Sequence, residues 1–305
     1  MGLLDQVQIF HGEASSTIAR VYARIDKPED QEGLALSGSL EGPFRSDAHT
    51  LPARASFLAC RPGESLLAEA VLPDPCLWSP DNPALYRAHL ELRCGQQVLE
   101  ERTIATGLRG LGVSGTDLYR HGRRCVVRAV EWTPPGDFDW TEARAAGASF
   151  LVDTPGQRLC EAASEAGVVL LVRLGGSVDQ LLAAMSRLSA WPAVSIFLFS
   201  QGTDCPEDVN QRFPNLLFGE IGPLESTAAP APWAHLSVYQ LPEKTASVPS
   251  ILPTGRSVMV ARQGGERTDW RRGRRECDDL QRELAGSGDL AGYVVLGENN
   301  EKTPL

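Results

Sequence analysis

Five carboxylates stand at or near the ends of apolar runs. They are Glu131 in "CVVRAVEW", Asp153 in "SFLVDTP", Asp204 just after "AVSIFLFSQG", Glu220 in "NLLFGEIG" and Glu298 in "AGYVVLGE". Two carboxyl groups held near each other can divide labour, one protonated as a general acid and one ionised as a base or nucleophile. The same positions suit an ordinary solvated or arginine-paired loop residue, so spacing alone assigns none of them. Trp132, Trp233 and Tyr239 lie beside the same run ends. Each can pack into a core or offer a flat face to a ligand. His121 and His235 have no neighbouring Cys and no nucleophilic Ser motif, so neither receives a catalytic role. The seven cysteines (60, 76, 94, 125, 160, 205 and 277) are scattered, with no CxxC pair and no Cys/His cluster. They read as reduced structural thiols of a cytoplasmic protein, and no metal or cofactor is expected.

Two stretches with different periods position these residues. Residues 1–112 read as all-β: about seven short runs, from "VQIFHGEA" to "VLEERTIATGL", show partial alternation and are separated by Pro, Gly, Asp and Asn. Strands spaced in this way predict an immunoglobulin-like β-sandwich. Over residues 113–305 apolar runs alternate with helical or irregular stretches. Eight runs, at 125–132, 149–155, 167–175, 193–202, 215–222, 234–241, 256–264 and 291–298, are almost continuously Val, Leu and Ile. Strands buried on both faces have that composition. Helical patterns at 141–148, 156–167, 177–190 and 269–287 lie between some of them, while the connections after the fourth to sixth runs are short and Pro-rich. Eight strands with crossovers predict a small (β/α)8 TIM barrel with some helices missing.

The formal net charge of −10 argues against nucleic acid or an anionic membrane as the main partner. The basic run "RRGRRE" at 271–276 reads as the solvated face of a helix. No apolar run approaches the length of a membrane span. The N-terminus lacks the basic start and apolar stretch of a signal peptide.

Three segments in order carry a family resemblance: "CLWSPDNPALYRAHLEL" (76–92), "ATGLRGLGV" (105–113) and "LYRHGRRCVVRAVEW" (118–132). Together they resemble glycoside hydrolase family 2, the β-galactosidase and β-glucuronidase family. There an "LWSP-NP-LY" element, an "fGfR" motif and an Asn-Gly entry turn join an immunoglobulin-like domain to a catalytic barrel. Here Thr106-Gly107-Leu108-Arg109 stands in the second motif and His121-Gly122 in the third. The family's N-terminal jelly-roll domain has no counterpart in the chain. The resemblance implies a retaining glycosidase site, with two carboxyl groups about 5–5.5 Å apart. Its acid would end the fourth barrel strand and its nucleophile the seventh.

Laying "WPAVSIFLFSQG" on the fourth strand puts Gln201 at the Asn that precedes the family's acid and Gly202 at the acid itself. Laying "SVMVARQG" on the seventh puts Arg262 at the nucleophile, with Gln263 beside it. An arginine that the family keeps near the end of strand two is replaced by Val152-Asp153. The chain is therefore expected to be a family 2-like pseudoenzyme. It would act as a carbohydrate-binding or protein-interaction module, with Gln201, Arg262, Trp132, Tyr239 and Trp233 as candidate ligand contacts. One alternative is an active glycosidase with a relocated pair, Glu220 with Glu298 or Asp153; another is a purely structural or assembly role. Arg262 is expected to face Gln201-Gly202 across the barrel mouth and to pair with Glu220, Asp153 or Glu298.

Overall fold

The structure is a computed structural model that describes residues 2–26, 33–60, 63, 65–225, 229–242, 255–264 and 269–297. The first domain holds seven antiparallel strands: β1 (Gln8–Ala14), β2 (Ile18–Asp26), β3 (Leu34–Phe44), β4 (Ala53–Ala59), β5 (Ser65–Pro73), β6 (Leu85–Cys94) and β7 (Gln97–Thr106). Their order is β1-β2-β5-β4-β3-β6-β7. β4 pairs with β3 through Ala53–Phe57 and with β5 only through Leu58 and Ala59. The sheet turns over at β4, so its two wings stack as a sandwich. Alternation drives the stacking. Ala19, Val21, Ala23 and Ile25 of β2 are buried and meet Leu36, Leu40, Ala88, Leu90 and Leu92 of the opposite wing.

A small sheet follows: β8 (Leu111–Ser114), β9 (Asp117–Arg120) and β10 (Arg123–Cys125). The boundary expected at residue 112 falls inside β8. His121 and Gly122 both have positive φ (50° and 74°), as the two central residues of a type I′ hairpin turn require.

Eight parallel strands then close a barrel: β11 (Val127–Glu131), β12 (Ser149–Asp153), β13 (Leu170–Leu174), β14 (Val194–Ser200), β15 (Leu217–Pro223), β16 (Leu236–Leu241), β17 (Ser257–Gln263) and β18 (Gly292–Leu296). β18 pairs back on β11, Val127 opposite Gly292. The helices are α1 (Trp140–Ala145), α2 (Gln157–Ala166), α3 (Val178–Leu188), the single turn α4 (Val209–Arg212) and α5 (Trp270–Glu283). Between β15 and β16 the described residues hold no helix.

The segments that resembled a family motif join the two domains. Trp78 sends its indole N–H to the carbonyl of Ser164 on α2 (2.8 Å), and its backbone N–H to Leu108 (2.7 Å). Arg109 donates to the carbonyls of Ser189 (2.5 Å), Trp191 (2.5 Å) and Val194 (3.1 Å) around the start of β14. A Cβ at Gly107 would lie 2.6 Å from Pro192, and one at Gly167 2.8 Å from the Pro80 carbonyl, so the domains meet at van der Waals contact.

The register sorts barrel side chains into two sets. One faces the helices: Arg128 ion-pairs with Asp278 of α5 (3.1 Å), and Phe150 packs against Trp140 and Trp270. Carrying the pairing round the barrel puts Val172, Phe197, Phe218, Glu220, Tyr239, Val260, Arg262 and Val295 in this outer set. The inner set closes with Glu131, Asp153, Arg173, Ser200, Gln240 and Gln263 at the C-terminal rim.

α5 carries the basic run. Asp269 caps it, accepting from the backbone N–H groups of Arg271 (3.0 Å) and Arg272 (3.3 Å). Arg271 pairs with Glu142, Arg272 with Glu276 (2.9 Å) and Arg274 with Asp278 (2.7 Å), so the run is a salt-bridged helix face. Gly273 is the point of contact with β11. Replacing glycine by alanine inside a helix ordinarily stabilises by about 1 kcal/mol. Here the new Cβ would lie 2.5 Å and 3.2 Å from the two γ-methyls of Val130, so rotating Val130 gives no relief. Overpacking of that kind costs about 1–3 kcal/mol. Gly273→Ala is therefore expected to destabilise in urea denaturation, and to become stabilising in a Val130→Ala background.

Candidate functional site at the barrel mouth

Three adjacent strands deliver a charged cluster to the inner rim. Arg173 of β13 forks onto Asp153 of β12, Nε to Oδ1 at 2.7 Å and Nη2 to Oδ2 at 2.9 Å. The same Nη2 donates to Oε1 of Glu131 on β11 (2.7 Å). Oε2 of Glu131 accepts from the backbone N–H of Gly297, at the end of β18 (3.0 Å). Gln263 closes the ring by donating its amide N–H to the carbonyl of Gly297. The cluster grades from dry to wet: the Glu131 side chain is 9% exposed, Arg173 27% and Asp153 57%. Hydrogen bonding to Asp153, followed by the pull of Glu131, holds the Arg173 guanidinium above its ordinary pKa. It is a permanent cation between two carboxylates.

The fourth strand ends at Ser200. Gln201 follows, its backbone N–H bonded to the carbonyl of Ile221 (3.0 Å) and its side chain against Gly222. Gly202 is exposed, with φ +82°, in the left-handed region that costs a side-chain-bearing residue roughly 1–2 kcal/mol. A glutamate there would be strained, and its Cβ would meet nothing within 4 Å to hold it in place.

Arg262 does not face the mouth. It belongs to the outer set and donates to Glu283 of α5 (2.5 Å), instead of to Glu220 or Asp153. The reason is the two-residue period of a strand: a slip of one residue changes the face. The inward residue at the end of the seventh strand is its neighbour, Gln263. Glu220 also faces outward. It is 7% exposed and accepts from the backbone N–H of Ala231 (2.8 Å), so it pins the β15–β16 connection against the barrel wall. Pairing Glu220 with Asp153 as two facing carboxyls is therefore excluded, because they lie on opposite faces. Glu298 lies outside the described residues.

Two of the aromatic candidates are packing residues. Trp132 sits in an outer cluster with Phe138 (4.8 Å between centroids) and Phe150 (5.2 Å). Trp233 is buried edge-on against Phe199 (5.3 Å). Tyr239 is half-buried and in the outer set. None of the three lines the inner rim. Among the described residues no group of three His, Cys, Asp or Glu side chains is placed to hold a metal ion. The seven cysteines are all unbridged, and among the described residues no helix is long and apolar enough to cross a membrane.

Sequence reasoning named Asp153 and Glu131 but missed Arg173. The signal was available, since "GVVLLVRLG" carries one cation inside a run otherwise suited to burial. Such a charge has to meet a carboxylate on a neighbouring strand.

Comparison with known proteins bears on both domains. Residues 7–109 match the model for glycosyl hydrolases family 2. The match covers the first domain. No curated protein sequence matches the chain. Among solved structures, a family 2 glycosyl hydrolase from Bacteroides cellulosilyticus superposes with a TM-score of 0.64 at 13% identity, covering 95% of this chain and 43% of that one. A β-glucuronidase from Parabacteroides merdae gives 0.61 at 12% identity, covering 96% and 47%. One from Bacteroides uniformis gives 0.59 at 12%, covering 95% and 45%. The chain thus spans less than half the length of these structures. At such identities the superposition shows the fold: a family 2-like sandwich followed by a small barrel.

The ion cluster makes a testable statement. Arg173→Met would take from Glu131, nearly dry, its charge-assisted bond to the guanidinium. Hydrogen bonds to charged groups are worth about 1.5–3 kcal/mol. A loss of about that size is expected in urea denaturation. Adding Glu131→Gln should recover part of it, visible as non-additivity in a double-mutant cycle.

Proposed function

We propose that the chain is a family 2-like pseudoenzyme that works by binding instead of by cleaving glycosides. The observation that carries this reading is the fate of the mouth carboxylates. Both inward-facing ones among the described residues, Glu131 and Asp153, are committed to Arg173. The position expected for the acid is an exposed glycine on a left-handed backbone, and the inward residue ending strand seven is an amide, Gln263. A retaining mechanism needs one carboxyl to donate a proton and a second, about 5–5.5 Å away, to attack. Among the described residues no such pair remains uncommitted.

Binding in the mouth would rest on hydrogen bonds from Gln240 and Gln263 and to the exposed edge of Asp153, since among the described residues no aromatic platform lines the rim. Such a site suits a hydroxyl-rich ligand such as a carbohydrate. Partner protein binding is the second form of the reading. Unbridged cysteines accord with a reducing, cytoplasmic setting. An acidic chain accords with partners other than nucleic acid or anionic membrane.

Purified protein is expected to show no turnover above buffer on aryl β-galactosides, β-glucuronides or β-mannosides. Gly202→Glu should not restore any, because strain displaces the new carboxyl and, among the described residues, no uncommitted nucleophile faces it. Clear turnover by the unmodified protein, abolished by Glu131→Gln or Asp153→Asn, would overturn the reading and establish a relocated pair.

A further inference from the structure

The helices α2 and α3 fill successive crossovers on the outer wall of the barrel. Each shows solvent a face with one cation and one anion at opposite ends. On α3 the acid comes first, with Asp179 in the first turn and Arg187 in the last. Both are exposed, four residues either side of the exposed Ala183. On α2 the base comes first, with Arg158 in the first turn and Glu165 in the last. These two are exposed and seven residues apart, which puts them on one helix face. None of the four side chains makes a hydrogen bond or ion pair among the described residues. The order on α2 runs against its own helix. A macrodipole favours acids at the N-terminus and bases at the C-terminus. α3 follows that rule and α2 reverses it. Local helix stability therefore does not account for Arg158 and Glu165, whereas pairing with a reversed copy of the same face does.

We propose that the α2–α3 face is the interface of a symmetric homodimer. A two-fold axis crossing both helices near their middles sets α2 on α2 and α3 on α3 of the second copy, antiparallel. Asp179 then meets Arg187 of the second copy and Arg158 meets its Glu165, each pair occurring twice. A parallel pairing would set like charges together. The remaining charge on the α2 face, Glu161, lies one turn from Arg158 and can share it. Between the charges the ground is small and apolar: Ala183 is exposed, and Leu182, Ala184, Leu159 and Ala162 are half-buried. Helix axes approach to about 8–10 Å over such residues. An apolar centre inside a charged rim is the ordinary anatomy of an interface. Exposed ion pairs add little affinity, but they fix orientation and partner. That matters for a chain of net charge −10, because two copies repel wherever their charges are not matched. The dimer is independent of whatever the mouth binds.

Sedimentation equilibrium of the full chain tests this. Expected is a reversible dimer with twice the 33.0 kDa mass of the chain. Arg187→Asp sets an acid against Asp179 of the second copy and should weaken the dimer about tenfold or more. Asp179→Arg should do the same, although it lowers the overall repulsion. The double exchange, Asp179→Arg with Arg187→Asp, restores opposite charges and should return the dimer to within about threefold of the parent. All these positions are exposed, so far-UV circular dichroism should show each variant folded. Arg271→Asp, on α5 and outside the face, carries the same change in net charge as Arg187→Asp and should dimerise nearly as the parent does. Any one of three results overturns the proposal. The first is a parent that stays monomeric at about 100 μM, which leaves the face to a partner of another kind. The second is a dimer that the single reversals do not weaken, which places the contact between copies elsewhere. The third is a double exchange no tighter than the singles.

Discussion

In a closed barrel of eight parallel strands each strand is locked in register to two neighbours, and only alternate residues reach the interior. That constraint decides the chemistry open to this protein. On β17 it sends Arg262 under α5 and Gln263 into the mouth. On β15 it turns Glu220 into the barrel wall. On β11, β12 and β13 it brings Glu131, Asp153 and Arg173 to one rim. No loop adjustment can move a residue from one set to the other, because a slip of one place would turn a whole strand inside out.

The seam between the domains rests on a different interaction. Arg109 is buried among backbone carbonyls with no carboxylate partner. Burial lowers its pKa to about 9, so it remains a cation at neutral pH. A buried charge is tolerated when hydrogen bonds compensate it, and here three carbonyls around the entry to β14 take three of its five N–H groups. His11 adds a second tie, its Nε2 on the Arg109 carbonyl (2.8 Å) and its backbone N–H on Asn215 of the barrel (2.8 Å). The barrel strand that ends at Ser200 is thus anchored at its start by the first domain. The "LWSP" and "GLR" segments are better understood as joinery than as chemistry. That accounts for their presence in a chain whose mouth lacks the expected carboxyls.

The elements were legible because hydrophobic runs and their punctuation mark strands and helices independently of what they face. Every strand of the sandwich and barrel lies on an apolar run, and "RRGRRE" sits on a charged helix face. The face of each barrel residue was not legible, for a physical reason. Strands buried on both sides lose the alternation that reveals orientation, and "SVMVARQ" reads the same from inside and outside. The sandwich strand "IARVYARID" keeps its alternation and is unambiguous. Arg262 was misplaced for this reason. Trp132 and Trp233 were ambiguous for another: an aromatic at a strand end serves packing and stacking equally well until its neighbours are known.

The charges at the rim are held in a circuit of hydrogen bonds. Both oxygens of Asp153 accept from Arg173, one oxygen of Glu131 accepts from Arg173, and the other accepts from Gly297. All four carboxylate oxygens therefore face N–H donors. A lone pair so engaged could attack an anomeric carbon only after giving up a charge-assisted hydrogen bond, which is about twice as strong as a neutral one. Protonating either carboxylate would weaken its charge-assisted pairing with Arg173. The arrangement opposes both the nucleophile and the acid role at once. The same bonds tie β11, β12, β13 and β18 together at the rim.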